Sequence, residues 1–432
     1  MRVALSLRRP ALVLGVGLSL AGLVLAGCGT SSDSKSAKTS GPVTLTVNLF
    51  GNFGYQELYK QYQAAHPNVT IKENVTDYSA HHKNLQAHLL AGAGTADIEA
   101  IEIGQVPGFR PQSGKFVDYL KHGVKTSQWT ESKWKPATSP DGKALFGVGT
   151  DVGGLALCYR ADLMKAAGLP SERDAVSALF SDWSSYVEVG KQFTAKTPDK
   201  NVKWFDAGSN LFNAIIAQSE KAFYDESGNV VIDKNPAVKA AWDKTVEAIQ
   251  AGQSAGLAAF SPQWNTGFQK GQFATITCPS WMMAYIQDNA PETSGKWDIA
   301  KIPGTGGGNW GGSYLAVPTA SKHQKEAIDL AKWLTAPEQE AWLFKNKGNF
   351  PSDQALWDQP DVSGYVNPFF SNAPAGKIFS ESVKTLKPQI YGPHSGDLGN
   401  AVGNALTSIE QGKAKPDEAW SKALADAKNL AS

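Results

Sequence analysis

The residues in this sequence best suited to recognition chemistry are aromatic. Trp264, Trp281, Trp297 and Trp310 stand near loop punctuation, and the chain carries 13 Trp against 4 Met. Rings supplied in this way suit a surface that stacks on flat apolar faces. Polar partners stand at comparable places: Glu102 and Gln105 follow an apolar run, and His394 and Asp397 precede a helical segment. An N-cap role is the alternative for Asp397. Hydrolysis of a glycosidic bond would need a matched acid and base flanking that bond, and no motif places such a pair. His81, His82 and His88 match no common zinc spacing, no cysteine lies near them, and a solvated helix face accounts for them. No metal or other cofactor is implied. The glycine-rich stretch 304–312, GTGGGNWGG, lacks the Lys-Ser/Thr pair and following helix of a phosphate loop. It reads as a crossing loop that presents Trp310.

The elements that must position these residues alternate in type. Residues 268–281, FQKGQFATITCPSW, read as a helix end, a turn at Gly271 and a strand over 273–277. The strand is β-branched and alternating, as a half-buried strand should be. Pro279 ends it, so that Ser280 and Trp281 lie past its carboxyl end, the edge where open α/β sheets bind ligands. Core filling is the alternative for Trp281. A strand over 43–50, a glycine turn, a helix over 55–65 and a strand over 69–74 form a βαβ unit. A helix over 79–91 and a strand over 97–103 follow, with Glu99 mid-strand and Glu102 and Gln105 at the carboxyl end. The stretch 147–160 is extended and glycine-rich, fit to leave one domain and become a strand of the next. Its Gly149, Gly153 and Gly154 are expected to absorb changes in backbone angle. The remaining helices are expected at 324–334, 337–344, 375–386, 396–410 and 416–430.

The amino terminus has another purpose. Arg2, Arg8 and Arg9 precede an apolar run over 11–25 that is short and glycine-rich for a membrane span. Leu25-Ala26-Gly27-Cys28 closes it in the manner of a bacterial lipobox, which predicts a signal peptide over 1–27 and lipidation of Cys28. The export route, general or twin-arginine, stays open. Residues 28–41 are Ser, Thr, Lys and Gly with little apolar content, a flexible tether. With the three leader arginines gone, 38 basic residues stand against 40 acidic ones, a balance that gives no reason to expect nucleic acid. Cys158 and Cys278 could pair outside the cell, but their apolar, strand-like settings favour two small buried thiols.

The lipobox, Ala96-Asp97-Ile98, Tyr159-Arg160-Ala161-Asp162-Leu163, Asp182-Trp183, the 268–281 stretch, and Leu315-Ala316-Val317-Pro318 before a helix reaching Trp333-Leu334 occur in one order. That order resembles the extracellular solute-binding proteins, family 1, of carbohydrate ABC importers, of the maltose- and cellobiose-binding type. The resemblance implies an α/β fold of two lobes joined by crossing strands, the type II periplasmic-binding architecture, with the ligand in the cleft. It implies lobes of 42–152 plus 310–352 and 153–309 plus 353–432. It further implies a monomeric, non-enzymatic lipoprotein on the outer face of the cell membrane, with an oligosaccharide and ABC permease subunits as partners. Asn52 and Phe53 match a first-lobe sugar loop, Asp151 lies by the hinge where the family's contacting Glu is replaced by Gly153, and Asn210 matches a second-lobe loop. Trp281 matches a stacking Trp, with Trp264, Trp310, Glu102, Gln105 and Asp397 completing the candidate site. A secreted glycoside hydrolase and a sugar-sensing or adhesion lipoprotein are the rival functions.

Overall fold

The computed structural model describes residues 41–431, Thr305 excepted. The leader, Cys28 and all but the last residue of the tether fall outside the described residues. Among those described, nine strands form: β1 (Val43–Leu49), β2 (Val69–Val75), β3 (Ile98–Glu102), β4 (Val148–Gly149), β5 (Leu155–Arg160), β6 (Lys203–Phe205), β7 (Phe273–Pro279), β8 (Trp297–Ala300) and β9 (Ser313–Ala316). They make two sheets, ordered β2-β1-β3-β9-β4 and β6-β7-β5-β8. Two α/β lobes result.

In the first sheet β1 turns Val43, Leu45, Val47 and Leu49 inward and pairs in parallel with β2 and β3, while β9 runs antiparallel to β3 and β4. The helix Gln56–Ala65 buries Leu58, Tyr59 and Tyr62. The helix Tyr78–Ala91 starts where the Asp77 carboxylate accepts from the Ser79 and Ala80 amides, and ends at Gly92 in the left-handed region. Two of its histidines depart from the expected solvated face. His81 and His82 are buried, with His81 Nε2 2.7 Å from the Ala100 carbonyl and His82 bonded at both ring nitrogens. They pack this helix onto β3, which a charged or hydrated imidazole could not do. Inside β3, Glu99 accepts from the Ala96 amide and Asn48 Nδ2.

In the second sheet β7 is buried at all seven positions, not alternating as a half-buried strand. It lies between β6 and β5, and both of its faces are covered. Ala156, Cys158, Ile276 and Cys278 join the core on one face, while Leu155, Leu157 and Tyr159 join the other. Cys158 lies opposite Ile276 and Ala156 opposite Cys278, so the two cysteines are diagonal neighbours on one face. They form a disulfide with a Cα separation of 5.5 Å, which corrects the expectation of free thiols.

Three segments cross between the sheets: 150–154 from β4 to β5, 301–312 from β8 to β9, and 348–353 after the helix Pro337–Lys347. They are hydrogen-bonded to one another through Thr150 N to Ser313 O (2.9 Å), Val152 N to Phe350 O (2.9 Å) and Trp310 N to Gly153 O (2.8 Å). The glycines of the stretch 149–154 answer to close packing, not to unusual backbone angles. A Cβ at Gly153 would sit 1.9 Å from the Trp310 carbonyl oxygen, one at Gly154 2.5 Å from Val383, and one at Gly149 2.8 Å from Lys133. None of the three has a positive φ.

The disulfide spans a sequence separation of 120 residues. Loop entropy for a link of that length comes to about 4 to 5 kcal/mol, and measured losses centre on about 2 to 4 kcal/mol. The double variant Cys158→Ser, Cys278→Ser should therefore lose about 2 to 4 kcal/mol of unfolding free energy in urea. An unchanged midpoint, or two titratable thiols in the folded wild-type protein, would show that the bridge is not formed.

Candidate binding site

The carboxyl ends of β1 and β3 carry one half of the site. Glu102 ends β3 and its Oε2 accepts from the Tyr78 hydroxyl (3.0 Å) and the Gly104 amide (2.8 Å). Gln105 Nε2 donates to the same Tyr78 hydroxyl at 3.2 Å. Burial pushes the Glu102 carboxyl up to about 7, against those two donors and the Lys133 charge. His82 fixes the strand end beneath: its Nε2 accepts from the Glu102 amide and its Nδ1 donates to the Tyr78 carbonyl. That arrangement requires a neutral ring, and burial lowers the imidazole to about 4. Phe50, just past β1, packs against Tyr78 and His82 on one side and Phe53 on the other.

The opposite wall comes from the chain before the helix Ser395–Glu410. A Cβ at Gly396 would lie 2.3 Å from Gln105 Nε2, and one at Gly108 would lie 3.2 Å from the Pro393 carbonyl. Glu102, Gln105 and Asp397 are thus brought to one region. Asp397 is exposed and 3.7 Å from His394 Nδ1. It does not cap the helix, because His394 occupies the N-cap position with no side-chain cap bond.

A group of buried charges ties this region to the crossings. Asp151 Oδ1 accepts from Thr150 Oγ1 (2.6 Å) and the Ser313 amide (3.0 Å). Lys133, 3% exposed, donates to the Ser313 carbonyl at 2.9 Å and lies 4.1 Å over the Tyr314 ring. Glu340 accepts from Ser352 Oγ (2.7 Å) and the Asp353 amide (2.9 Å). Burial lowers Lys133 to about 8, opposed by Asp151, Glu340 and Glu102, and raises Glu340 to about 8. Beside these groups is a cavity of about 190 Å³ whose lining includes Lys133, Asp151, Val152, Asn309, Gly311 and Tyr391. Small-molecule sites usually hold about 300 to 1,000 Å³, so this space is too small for a chain of rings. Of the ten candidate ligand contacts, Asp151 alone lines it.

The aromatic wall stands at the carboxyl end of β7. Trp281 is half-buried, its Nε1 donates to the Trp310 carbonyl at 3.2 Å, and the two rings meet edge to face at 5.5 Å and 74°. Gly348 packs on Ser280 and Trp281, and Asn349 Nδ2 donates to the Phe53 carbonyl at 3.2 Å. The 348–349 segment thereby connects Trp281 to the turn holding Asn52 and Phe53. Asn52 is exposed and its Oδ1 accepts from the Gly54 amide, while Phe53 is largely buried.

Asn210 and Trp264 stand apart from this cleft. Trp264 is fully enclosed and its Nε1 donates to Asp206 Oδ2 at 2.9 Å; Asn210, also buried, donates to the same oxygen at 2.5 Å. This network holds the core behind the cleft, and Trp264, fully enclosed, presents no ring face to solvent. The signal for Trp264 was its helical spacing with Gly267 and Phe268, all three buried in the helix Pro262–Lys270. Trp297 is likewise buried, bonded to Thr293 Oγ1. Tyr78, Lys133, Glu340 and Tyr391 escaped sequence reading, since nothing local marks them. Among the described residues no cluster of three or more His, Cys, Asp or Glu side chains could hold a metal ion.

A family profile described as bacterial extracellular solute-binding protein matches residues 57–370. The arabinooligosaccharide-binding protein of Bacillus subtilis (strain 168) is 27% identical over 356 residues, 78% of this chain and 75% of that protein. The lactose-binding protein of Rhizobium radiobacter is 24% identical over 380 residues, 83% of this chain and 85% of that protein. A crystal structure of an extracellular solute-binding protein of family 1 is 43% identical with a TM-score of 0.79, covering 90% of this chain and 100% of that chain. The binding protein of B. animalis subsp. lactis Bl-04, in complex with β-1,6-galactobiose, is alike in fold alone: 18% identity and TM-score 0.76 over 90% of this chain and 96% of that one.

The buried charges make a pH-dependent prediction. Glu102 and Glu340 have raised folded values, so their contribution to stability is full below the unfolded carboxylate range and is lost as pH rises through about 7 to 8. Lys133 limits that loss by opposing their shift. Lys133→Met, which leaves the Ser313 carbonyl without its donor, should cost about 1 to 3 kcal/mol at pH 8, and less at pH 5.5, where the carboxyls take up protons. Urea unfolding at the two values would measure it, and an equal or larger loss at the lower pH would contradict the assignment.

Proposed function

This chain belongs to the bacterial extracellular solute-binding proteins, and we propose that it captures an oligosaccharide between its lobes and delivers it to the permease of an ABC importer. The family is one of binding proteins, and the reading requires no turnover of the ligand. The observation that carries it is the half-buried Trp281, tethered to the Trp310 carbonyl at the carboxyl end of β7. A pyranose ring offers an apolar face to stack on such a surface and a fringe of hydroxyls for carboxylates and amides. Glu102, Gln105, Asp151 and Asp397 supply those groups here, and Asn52 and Phe53 close the far end. The sugars named for the Bacillus and Rhizobium relatives support the ligand class. Cellobiose or a short cello-oligosaccharide is our preferred ligand.

In this reading the lobes are 42–152 plus 310–352 and 153–309 plus 353–432, the protein acts as a monomer, and sugar selects the closed arrangement. A thermal-shift screen over cello-oligosaccharides, arabino-oligosaccharides and lactose tests it, because only a ligand that prefers the native state raises the melting temperature. The sugar that does so should also reduce the radius of gyration in small-angle scattering. Trp281→Ala should weaken its binding by about 1 to 3 kcal/mol, tenfold or more, with a near-normal melt. Normal affinity with a large loss of melting temperature would make Trp281 core filler and remove the main support.

We further propose that Cys28, released from its leader and lipidated, holds the protein at the outer face of the cell membrane. Cys28→Ala should appear in the medium or accumulate as uncut precursor. Mature-sized protein still in the membrane fraction would count against the anchor.

A further inference from the structure

Among the described residues three non-glycine residues have a positive φ: Phe260, Ser371 and Asn372. The last two are small and polar, as left-handed positions favour. Phe260, at φ 65, is bulky, and such a residue in this region is under strain. Burial does not repay it, since Phe260 is 55% exposed. The chain turns here immediately before Ser261, whose hydroxyl accepts from the Trp264 amide and caps the helix Pro262–Lys270. Glycine would make that turn without strain. The phenyl ring thus stands at a position that disfavours it.

The ring is held in a definite place. It lies 6.1 Å from the Trp281 ring with the planes 24° apart. Its edge contacts are with Trp264 at 5.3 Å and Tyr285 at 5.6 Å, and the Tyr285 hydroxyl is fixed by Asn265 Oδ1 at 2.7 Å. Trp281 in turn meets Trp310 at 5.5 Å. Three rings therefore run in sequence from the crossing loop outward: Trp310, Trp281 and Phe260. The innermost two are half-buried and the last is open to solvent. Phe260 stacks on Trp281 and leaves its own outer side open to solvent, where a further unit of an extended ligand could be met.

We propose that Phe260 is the outermost stacking residue of the cleft and holds the third or a later sugar unit of an oligosaccharide. The proposal rests on the reading of Trp281 as an inner stacking residue. A shorter ligand ends before reaching Phe260, so this side chain sets preference by chain length.

Calorimetry on the full chain separates the two claims, with cellobiose, cellotriose and cellotetraose and the arabino-oligosaccharides of the same lengths as probes. Phe260→Ala should lose about tenfold in affinity for the trisaccharide and tetrasaccharide of the series that binds, while the disaccharide stays within about twofold. Phe260→Gly should show the same loss and melt above Phe260→Ala, because glycine relieves the left-handed backbone. Trp281→Ala should weaken all lengths. Affinity unchanged at every length in Phe260→Ala, or reduced equally at every length, overturns the proposal while leaving Trp281 in place. A lowered melt with unaltered affinity overturns it in favour of packing over Trp264. Full affinity in Trp281→Ala, or no binding of either series by the wild-type protein, overturns the reading of Trp281 and this proposal with it.

Discussion

The contact between Gly153 and the carbonyl of Trp310 governs how the two sheets are joined. A methyl group at position 153 would fall 1.9 Å from that oxygen, well inside van der Waals contact, so the first two crossings could not lie side by side. Their adjacency permits the bond from the Trp310 amide to the Gly153 carbonyl. It also leaves the Trp310 carbonyl where Trp281 Nε1 can donate to it. Backbone packing at the crossings and the orientation of the aromatic wall are thus one constraint. The nearby acid is Asp151, engaged with Thr150 and Ser313.

Charge burial around the crossings follows from that closeness. Lys133 reaches the Ser313 carbonyl beneath a Cβ-free position at Gly149; Asp151 lies in the first crossing, and Glu340, in the helix Pro337–Lys347, bonds the third. Buried ions are expensive unless paired and hydrogen-bonded, and each of these is bonded to backbone or hydroxyl groups of a crossing segment or of the first residue of β9. The arrangement makes the joint specific: displacing any one crossing strips a buried charge of its partners. Glu102 extends the group toward the cleft, its carboxyl raised to about 7 by the same burial.

The second lobe contributes rigidity of a different kind. Alternate residues of β5 feed separate cores on the two faces of the sheet, and the Cys158–Cys278 bridge joins it to β7 on one of them. Trp281 is delivered from the end of a strand that cannot tilt without disturbing both cores. The Asp206 network with Trp264 and Asn210 then supports the aromatic layer from behind. Its raised carboxyl, about 6, reflects burial only partly offset by those donors.

Sequence alone determined the order and type of the elements, since these rest on local patterns. The alternation in β1, the Gly271 and Pro279 boundaries around β7, and the apolar spacing of the helix Gln324–Leu334 are all readable within a few residues. It also placed Glu102, Gln105 and Trp281 at carboxyl ends of strands, because a strand's end and its sheet's binding edge coincide. Tertiary structure decided what depends on distant partners. Whether Cys158 meets Cys278 depends on a register between strands 120 residues apart in sequence. Whether Trp264 or Trp281 faces inward depends on which side of each element a neighbouring layer covers. Lys133 and Tyr391 became part of the site only when three crossings were brought within hydrogen-bonding distance of one another. Glycines 149, 153 and 154 were visible from the start, but their reason was not: the demand is for space against Lys133, Trp310 and Val383, and no reading of one segment can see the atoms of another.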